Sequence, residues 1–371
     1  MSEAGRWKLF LLPAVLVPIP LVLRVLAAPD LAVFAAAGVA VIPLANLMGR
    51  ATEDLSKRAG PGIGGLLNAT MGNATELIIA LTALLRAGTL AATGLPADAS
   101  AADSLVEVVK ASITGAIVGN LLLVMGVSLL VGGLRYRRQT FSVKAAELQV
   151  TMLALAVAAL VVPELFRLSY PAGAAQALPD VSVWIAILLL VGYILGLVFS
   201  LHTHRDVFNP VSKVEETPQW SRRFALLVLV AATSLIAIEA ELLVGAIESL
   251  TQTLGLSAIF VGVIVIALFG NAAEQGTAVM MAARNKMDLS VSIATVASTQ
   301  IALFVTPVLV LASLGFGKAL TLAFEPFELV AIILSVALVG LIAKDGETNW
   351  FEGALLLIVY AIIGLGFFFH P

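Results

Sequence analysis

Gly72-Asn73-Ala74-Thr75-Glu76 and Gly270-Asn271-Ala272-Ala273-Glu274 are two copies of one pentad, G-N-A-x-E, each embedded in apolar sequence. An arginine follows each glutamate at the same interval, since Arg86 lies ten residues after Glu76 and Arg284 ten after Glu274. Ten helical residues cover ~15 Å, about half of a ~30 Å hydrocarbon core, which places both carboxylates near a membrane midplane. Around the pentads, charged and Pro/Gly-rich breaks separate eleven apolar runs, at about 8–27, 31–49, 61–86, 105–134, 143–163, 181–201, 222–247, 256–283, 289–316, 326–343 and 350–370. Each is long enough to cross a bilayer as a helix, and strand-type alternation is absent. The pentads fall in runs 3 and 8. They sit five runs apart, so their helices run in opposite directions, which is the signature of an inverted-topology repeat with its site at the repeat interface.

Composition agrees. Of 371 residues 60% are hydrophobic and 12% charged, with a mean hydropathy of +1.05. Soluble domains run nearer ~45–50% apolar and ~25% charged, so a water-soluble enzyme is excluded. A net charge of −3 gives no argument for nucleic acid, and the absence of cysteine excludes disulfides and thiolate chemistry.

The expected fold is therefore an all-α polytopic membrane protein with eleven transmembrane helices. Residues 1–29 form an N-terminal cytoplasmic end and an extra helix, 30–201 the first five-helix repeat, 202–221 a cytoplasmic linker and 222–371 the second, inverted repeat. Pro13, Pro18, Pro20 and Arg24 interrupt the first run, which reads as a retained helix, with a removable signal peptide as the alternative. Sixteen of the 21 Lys and Arg residues fall at the N-terminus or in connections after even-numbered runs. That bias sets the N-terminus in the cytoplasm and the C-terminus outside. His202 and His204 lie in the linker, read as an interfacial segment or a metal- or proton-sensing pair.

Echoes beyond the pentads support the repeat. Gly115-Ala116-Ile117-Val118-Gly119-Asn120 in run 4 corresponds to Val296-Ala297-Ser298-Thr299-Gln300 in run 9, so each half carries one amide, Asn120 or Gln300. Upstream, Leu47-Met48-Gly49 leads to Glu53 as Leu243-Val244-Gly245 leads to Glu248.

Two carboxylates at mid-bilayer are costly, must face a cavity and, brought together, must hold a proton or share a cation. Hard cations such as calcium take six to eight oxygens from carboxylates, carbonyls, amides and water. Glu76 and Glu274 supply carboxylates, Asn73 and Asn271 supply amide oxygens three residues earlier on the same face, and Gly72 and Gly270 loosen the helices. Without Cys or His in these runs, the site suits an oxygen-seeking ion rather than zinc or copper. One divalent cation neutralises two carboxylates, and so do two protons. Either loaded form can cross an alternating-access transition while the empty dianion is disfavoured, so exchange follows.

Blander readings exist for each residue. The glutamates could be structural carboxyls bonded to a neighbouring helix, and Asn73, Asn271, Asn120 and Gln300 interhelical hydrogen-bond donors. Ser298, Thr299, Thr75 and Thr277 could bond back to their own helices, and Gly62, Gly64, Gly65, Gly115 and Gly119 could serve close packing. Glu241 and Glu248, seven residues apart, share a helical face while Glu239 points elsewhere. They are either an acidic antenna or proton relay, or a solvated helix end. The glycine-rich 60–65 stretch lacks the Gly-Lys-Ser/Thr of a phosphate loop, and the glycosylation patterns at Asn68 and Asn73 lie inside run 3.

GNATELIIALTALLRAG (72–88), GNAAEQGTAVMMA (270–282) and STQIALFVTPVLVL (298–311), with PLANLMGRATEDL (43–55), NLLLVMGVSLLVGG (120–133) and AELLVGAIESL (240–250), resemble the calcium/proton exchangers of the calcium:cation antiporter superfamily. The resemblance covers most of runs 2–9. It implies an eleven-helix fold with an added N-terminal helix, calcium held centrally by Glu76 and Glu274, and protons returning as calcium leaves the cytosol. By position it makes Asn73, Asn271, Asn120, Gln300 and Ser298 polar neighbours of the cation, and Glu241 and Glu248 accessory acids. Two stretches depart from the family pattern, which often has Ser-Asn at Gly119-Asn120 and Ser-Ser or Ser-Ile at Ser298-Thr299. The linker has only Glu215 and Glu216 where some members have a strongly acidic helix.

The expected function is thus an antiporter exporting cytosolic calcium against protons across a cell membrane. Its ligands are calcium, protons and the lipid bilayer, with no cofactor and no nucleic acid. A sodium-driven exchanger of the same superfamily is the first alternative, although Asn and Ala flank the carboxylates where a sodium site favours extra hydroxyls. A channel or an intramembrane enzyme is the second, and neither explains two antiparallel copies of one site.

Overall fold

The computed structural model describes residues 3–204 and 217–369, and the linker acids Glu215 and Glu216 lie outside the described residues. The fold is an all-α polytopic membrane fold. In chain order the helices are α1 (Glu3–Leu16), α2 (Pro18–Val25), α3 (Asp30–Met71), α4 (Ala74–Ala91), α5 (Pro96–Val118), α6 (Met125–Arg135), α7 (Val143–Ser169) and α8 (Pro171–Val198). There follow α9 (Arg222–Gly245), α10 (Ile247–Leu254), α11 (Ala258–Phe260), α12 (Ala267–Ala283), α13 (Met287–Gln300), α14 (Thr306–Ser313), α15 (Pro326–Ile342) and α16 (Trp350–Phe369). Four π-helical segments, Gly119–Val124, Phe199–Thr203, Val261–Ile266 and Ile301–Val305, extend or join these helices without breaking them.

Among the described residues nine helical stretches are long and apolar enough to cross a membrane, and two more, Phe10–Val25 and Pro326–Ile342, are apolar but shorter. The two short ones are the first and tenth runs of the sequence. The fourth crossing is longer than its apolar run suggests, because the helix begins at Pro96 and reaches Arg135. Pro96 stands at the first helical turn, where its missing N–H costs nothing, and Asp98 favours the same end.

Run 3 also differs from expectation. Regular helix continues from Asp30 to Met71, yet Gly64 returns against the Ser56 carbonyl. Eight residues of straight helix would separate those positions by ~12 Å, so the chain reverses sharply between them. The returning helix then stops at Met71 and restarts at Ala74, with Gly72 and Asn73 between.

Contacts divide the chain into two compact units. The first comprises Met1–Ala83, Leu197–Leu256 and Phe269–Ala273. Its centre is α3 against α9, where Ala40, Leu44, Leu47, Met48 and Ala51 meet Ala225, Val228, Ala232 and Ile236 at helical spacing. Alanine at so many of these positions lets the two backbones approach closely. At the far end of this pair, Asp54 accepts the backbone N–H groups of Gln219 and Trp220, and Arg58 donates to the Trp220 carbonyl. The end of the linker is thereby pinned to α3.

The second unit comprises Leu84–Gly196, Ser257–Leu268 and Glu274–Pro371. Here α5 crosses the Val261–Ile266 π segment at glycines. A Cβ at Gly115 would run into the Val263 carbonyl, and one at Gly262 would sit 2.7 Å from the Val108 carbonyl oxygen. Only glycine permits such a crossing. Small two-residue strands, β1 (Gln139–Thr140) and β2 (Glu347–Thr348), pair antiparallel and tie two connections together in an otherwise helical fold.

Polar fastening in this unit centres on Glu328. Its Oε1 accepts from Thr114 Oγ1 at 3.0 Å and its Oε2 from the Glu325 backbone N–H at 3.0 Å, while Lys110 Nζ donates to the Ala323 carbonyl at 2.6 Å. Thr114→Val removes the donor to a buried carboxyl oxygen. It is expected to cost about 1–3 kcal/mol of stability, read as a lower melting temperature in detergent with transport retained.

Candidate functional site

Within the first unit lie Gly72, Asn73 and Glu76 of the first pentad together with Gly270 and Asn271 of the second. The two-residue interruption at Gly72-Asn73 puts Glu76 in the first turn of α4, at the positive end of the helix dipole. Discontinuous helices are how membrane transporters bring helix ends to an ion. The second pentad is built differently, since Gly270 to Glu274 lie inside the unbroken α12, downstream of the Val261–Ile266 π segment.

The pentads meet at Gly270. A Cβ on that residue would lie 3.2 Å from Glu76 Cγ and 3.3 Å from Glu76 Oε1, so the first glutamate rests directly against the backbone of the second copy. Asn73 and Asn271 are both buried, and Glu76 Oε2 is enclosed without a hydrogen-bond partner among the described residues. A buried carboxyl oxygen in that condition calls for a proton or a cation.

The second unit holds Glu274, Asn120, Ser298 and Gln300. Asn120 is buried at the second position of one π segment, and Gln300 immediately precedes another, Ile301–Val305. The matched amides of the two halves thus each stand at a π segment, and α13 packs against the one carrying Asn120. A π turn widens the helix and misaligns its backbone carbonyls, which is why such segments gather at functional sites. Ser298 Oγ donates to the Ala294 carbonyl and Thr299 Oγ1 to that of Thr295, both at 2.9 Å, so these hydroxyls do bond back to their own helix. Their lone pairs remain as acceptors.

Glu241 and Glu248, read from the sequence as an acidic antenna or a solvated helix end, are exposed, while Glu239 is fully buried. The π segments had no signal in the sequence, since nothing in Gly119-Asn120 or Gln300-Ile301 announces an extra residue in the turn. Among the described residues no three His, Cys, Asp or Glu side chains gather as a metal-holding group.

The sodium/calcium exchanger protein family matches residues 30–202 and 224–369, which is most of the chain and includes both pentads. The chain belongs to this family. Among its relatives, the "Ca(2+)/H(+) antiporter" of Synechocystis sp. (strain ATCC 27184 / PCC 6803 / Kazusa) is 43% identical over 384 residues, covering 98% of each chain. The "Ca(2+)/H(+) antiporter ChaA" of Bacillus subtilis (strain 168) is 44% identical over 364 residues, covering 97% of this chain and 98% of the relative. Native YfkE superposes with a TM-score of 0.80 at 40% identity, over 98% of this chain and 99% of its own. The H+/Ca2+ exchanger CAX shares the fold at 13% identity, with a TM-score of 0.75 over 99% and 92% of the two chains. Exchangers of this family are membrane transporters, and the multi-pass helical architecture of this chain accords with that.

Proposed function

We propose that this chain is a secondary active antiporter that exports cytosolic calcium in exchange for protons. The observation that carries the reading is the meeting of the duplicated pentads, with Glu76 set against the Gly270 backbone and one of its oxygens enclosed without a partner. Relatives named as calcium/proton antiporters, at 43% and 44% identity over nearly the whole chain, support the choice of ions.

Glu76 and Glu274 are the exchanging carboxylates. They hold calcium as a pair, with Asn73 and Asn271 as amide ligands, and they take protons when calcium leaves. Gly270 gives the close approach, Gly72 stands at the break before α4, and Asn120, Gln300 and Ser298 line the polar surround. Glu241 and Glu248, being exposed, fit an acidic approach for the cation or proton. In this reading eleven helices form two inverted five-helix repeats, 30–201 and 222–371, after an added N-terminal helix in 1–29 and about a cytoplasmic linker, 202–221. The protein sits in the cell membrane with its N-terminus in the cytoplasm and its C-terminus outside. The activity is transport without a cofactor, not catalysis.

Reconstituted vesicles test it. With sodium absent and an imposed pH gradient, calcium uptake is expected, and collapsing the gradient with a protonophore stops it. Uptake that ignores the pH gradient but follows a sodium gradient would replace protons by sodium.

A further inference from the structure

Glu239 sits on the face of α9 that buries Ala232, Ile236 and Leu243. Its side chain is 0% exposed, and neither carboxyl oxygen has a hydrogen-bond partner among the described residues. The facing stretch of α3 follows from two contacts. Asp54 binds the chain at Trp220, and Thr233 Oγ1 lies 3.7 Å from Met48 Sδ, so α3 and α9 run antiparallel. Six residues beyond Thr233, at ~1.5 Å each, Glu239 falls opposite the apolar stretch around Val41.

No charged side chain is bonded to it among the described residues. On α3, Asp30 is held by Arg24 of α2, Arg50 donates to Asn46, Lys57 pairs with Glu53, and Asp54 and Arg58 bind the linker backbone. On α10, Glu248 is exposed. The segment Phe269–Ala273 in the same unit has no ionisable residue, and the ionisable group beside it is Glu76 of α4, which rests against Gly270. On α9 itself, Arg222 and Arg223 are exposed at the opposite end and Glu241 is exposed on another face. A fully buried carboxylate with no hydrogen-bond partner is costly in its ionised form; such a group is neutral and carries its proton.

We propose that Glu239 is a third proton-binding site, outside both pentads, loaded in the α9–α3 packing seen here and discharged when that contact opens to water. Its part in the transport cycle rests on the proton-antiport reading, whereas the proton itself does not. Coupling arises because one arrangement of the two helices requires a proton at this carboxyl and a wetted one releases it.

Difference infrared spectroscopy of the purified full-length protein between acid and alkaline pH tests the site. The wild type is expected to show a protonated-carboxyl C=O stretch that Glu239→Gln lacks. In vesicles, Glu239→Gln keeps calcium uptake at acid pH, while the slope of log rate against pH falls by about one proton. Glu239→Leu matches the apolar surround and serves both measurements if the glutamine variant does not fold. Identical carboxyl bands in variant and wild type, or superimposable pH profiles, overturn the proposal. Wild-type vesicles that take up no calcium under a pH gradient, alongside a Glu239-dependent band, would instead remove the antiport reading and leave the proton site standing.

Discussion

Glu76→Gln and Glu274→Gln are each expected to abolish pH-gradient-driven calcium uptake, by more than about 100-fold, in protein that still inserts and folds. The size follows from position. Even outer neighbours of a metal site cost ~10–100-fold when removed, and these residues are the only carboxylates the pentads offer a hard cation. Glutamine keeps the volume and hydrogen-bonding shape of the protonated acid but cannot ionise, so the variant imitates a permanently proton-loaded site. Calcium then meets one carboxylate where it needs two, and the proton half of the cycle has nothing to release. Calcium uptake into vesicles measures the loss, and thermal unfolding with size-exclusion chromatography checks that Glu76, enclosed at Oε2, tolerates the exchange. Robust transport by either variant would make that carboxyl structural.

Gly270→Val is expected to reduce transport by at least about tenfold, with Gly270→Ala falling between it and the wild type. A Cβ at this position comes within 3.2 Å of Glu76 Cγ, tighter than ordinary packing, so even alanine displaces the glutamate by a few tenths of an ångström. Valine adds two methyl groups to a helix face already closed against the carboxyl, and a displacement on the order of 1 Å at a reacting group costs ~100-fold. Because the strain falls on Glu76, apparent calcium affinity is expected to weaken along with the rate. Wild-type affinity in Gly270→Val would show that the approach of the two pentads is incidental to ion binding.

The membrane class, most of the helices and the doubled pentad were legible in the sequence because hydropathy and repetition are properties of residue type. Other features depend on geometry that residue type does not encode. The interruption at Gly72-Asn73 occurs with Gly72 still at helical angles, φ −55° and ψ −46°, so no turn residue advertises it. The first and tenth runs are mostly apolar yet form short helices, the first because it breaks between α1, which carries Pro13 inside it, and α2, which starts at Pro18. Burial of Glu239 and exposure of Glu241 reverse the interest the sequence gave to each, since heptad spacing shows which residues share a face but not which face meets a neighbour. Ser298 and Thr299 behave as the plainer reading had it, bonding to the turn behind them.

The π segments have a consequence for how this chain tolerates insertion and deletion. Each is an α turn with one residue too many, and removing that residue restores the ordinary ladder while rotating everything beyond it by ~100° relative to what precedes. In Gly119–Val124 and Ile301–Val305 the rotation would separate Asn120 or Gln300 from the helix that follows. The surplus residue therefore acts as a phase setting. It fixes which side chains of α6 and α14 face inward, and single-residue length changes in these two crossings are expected to scramble that choice even where every residue removed is merely apolar.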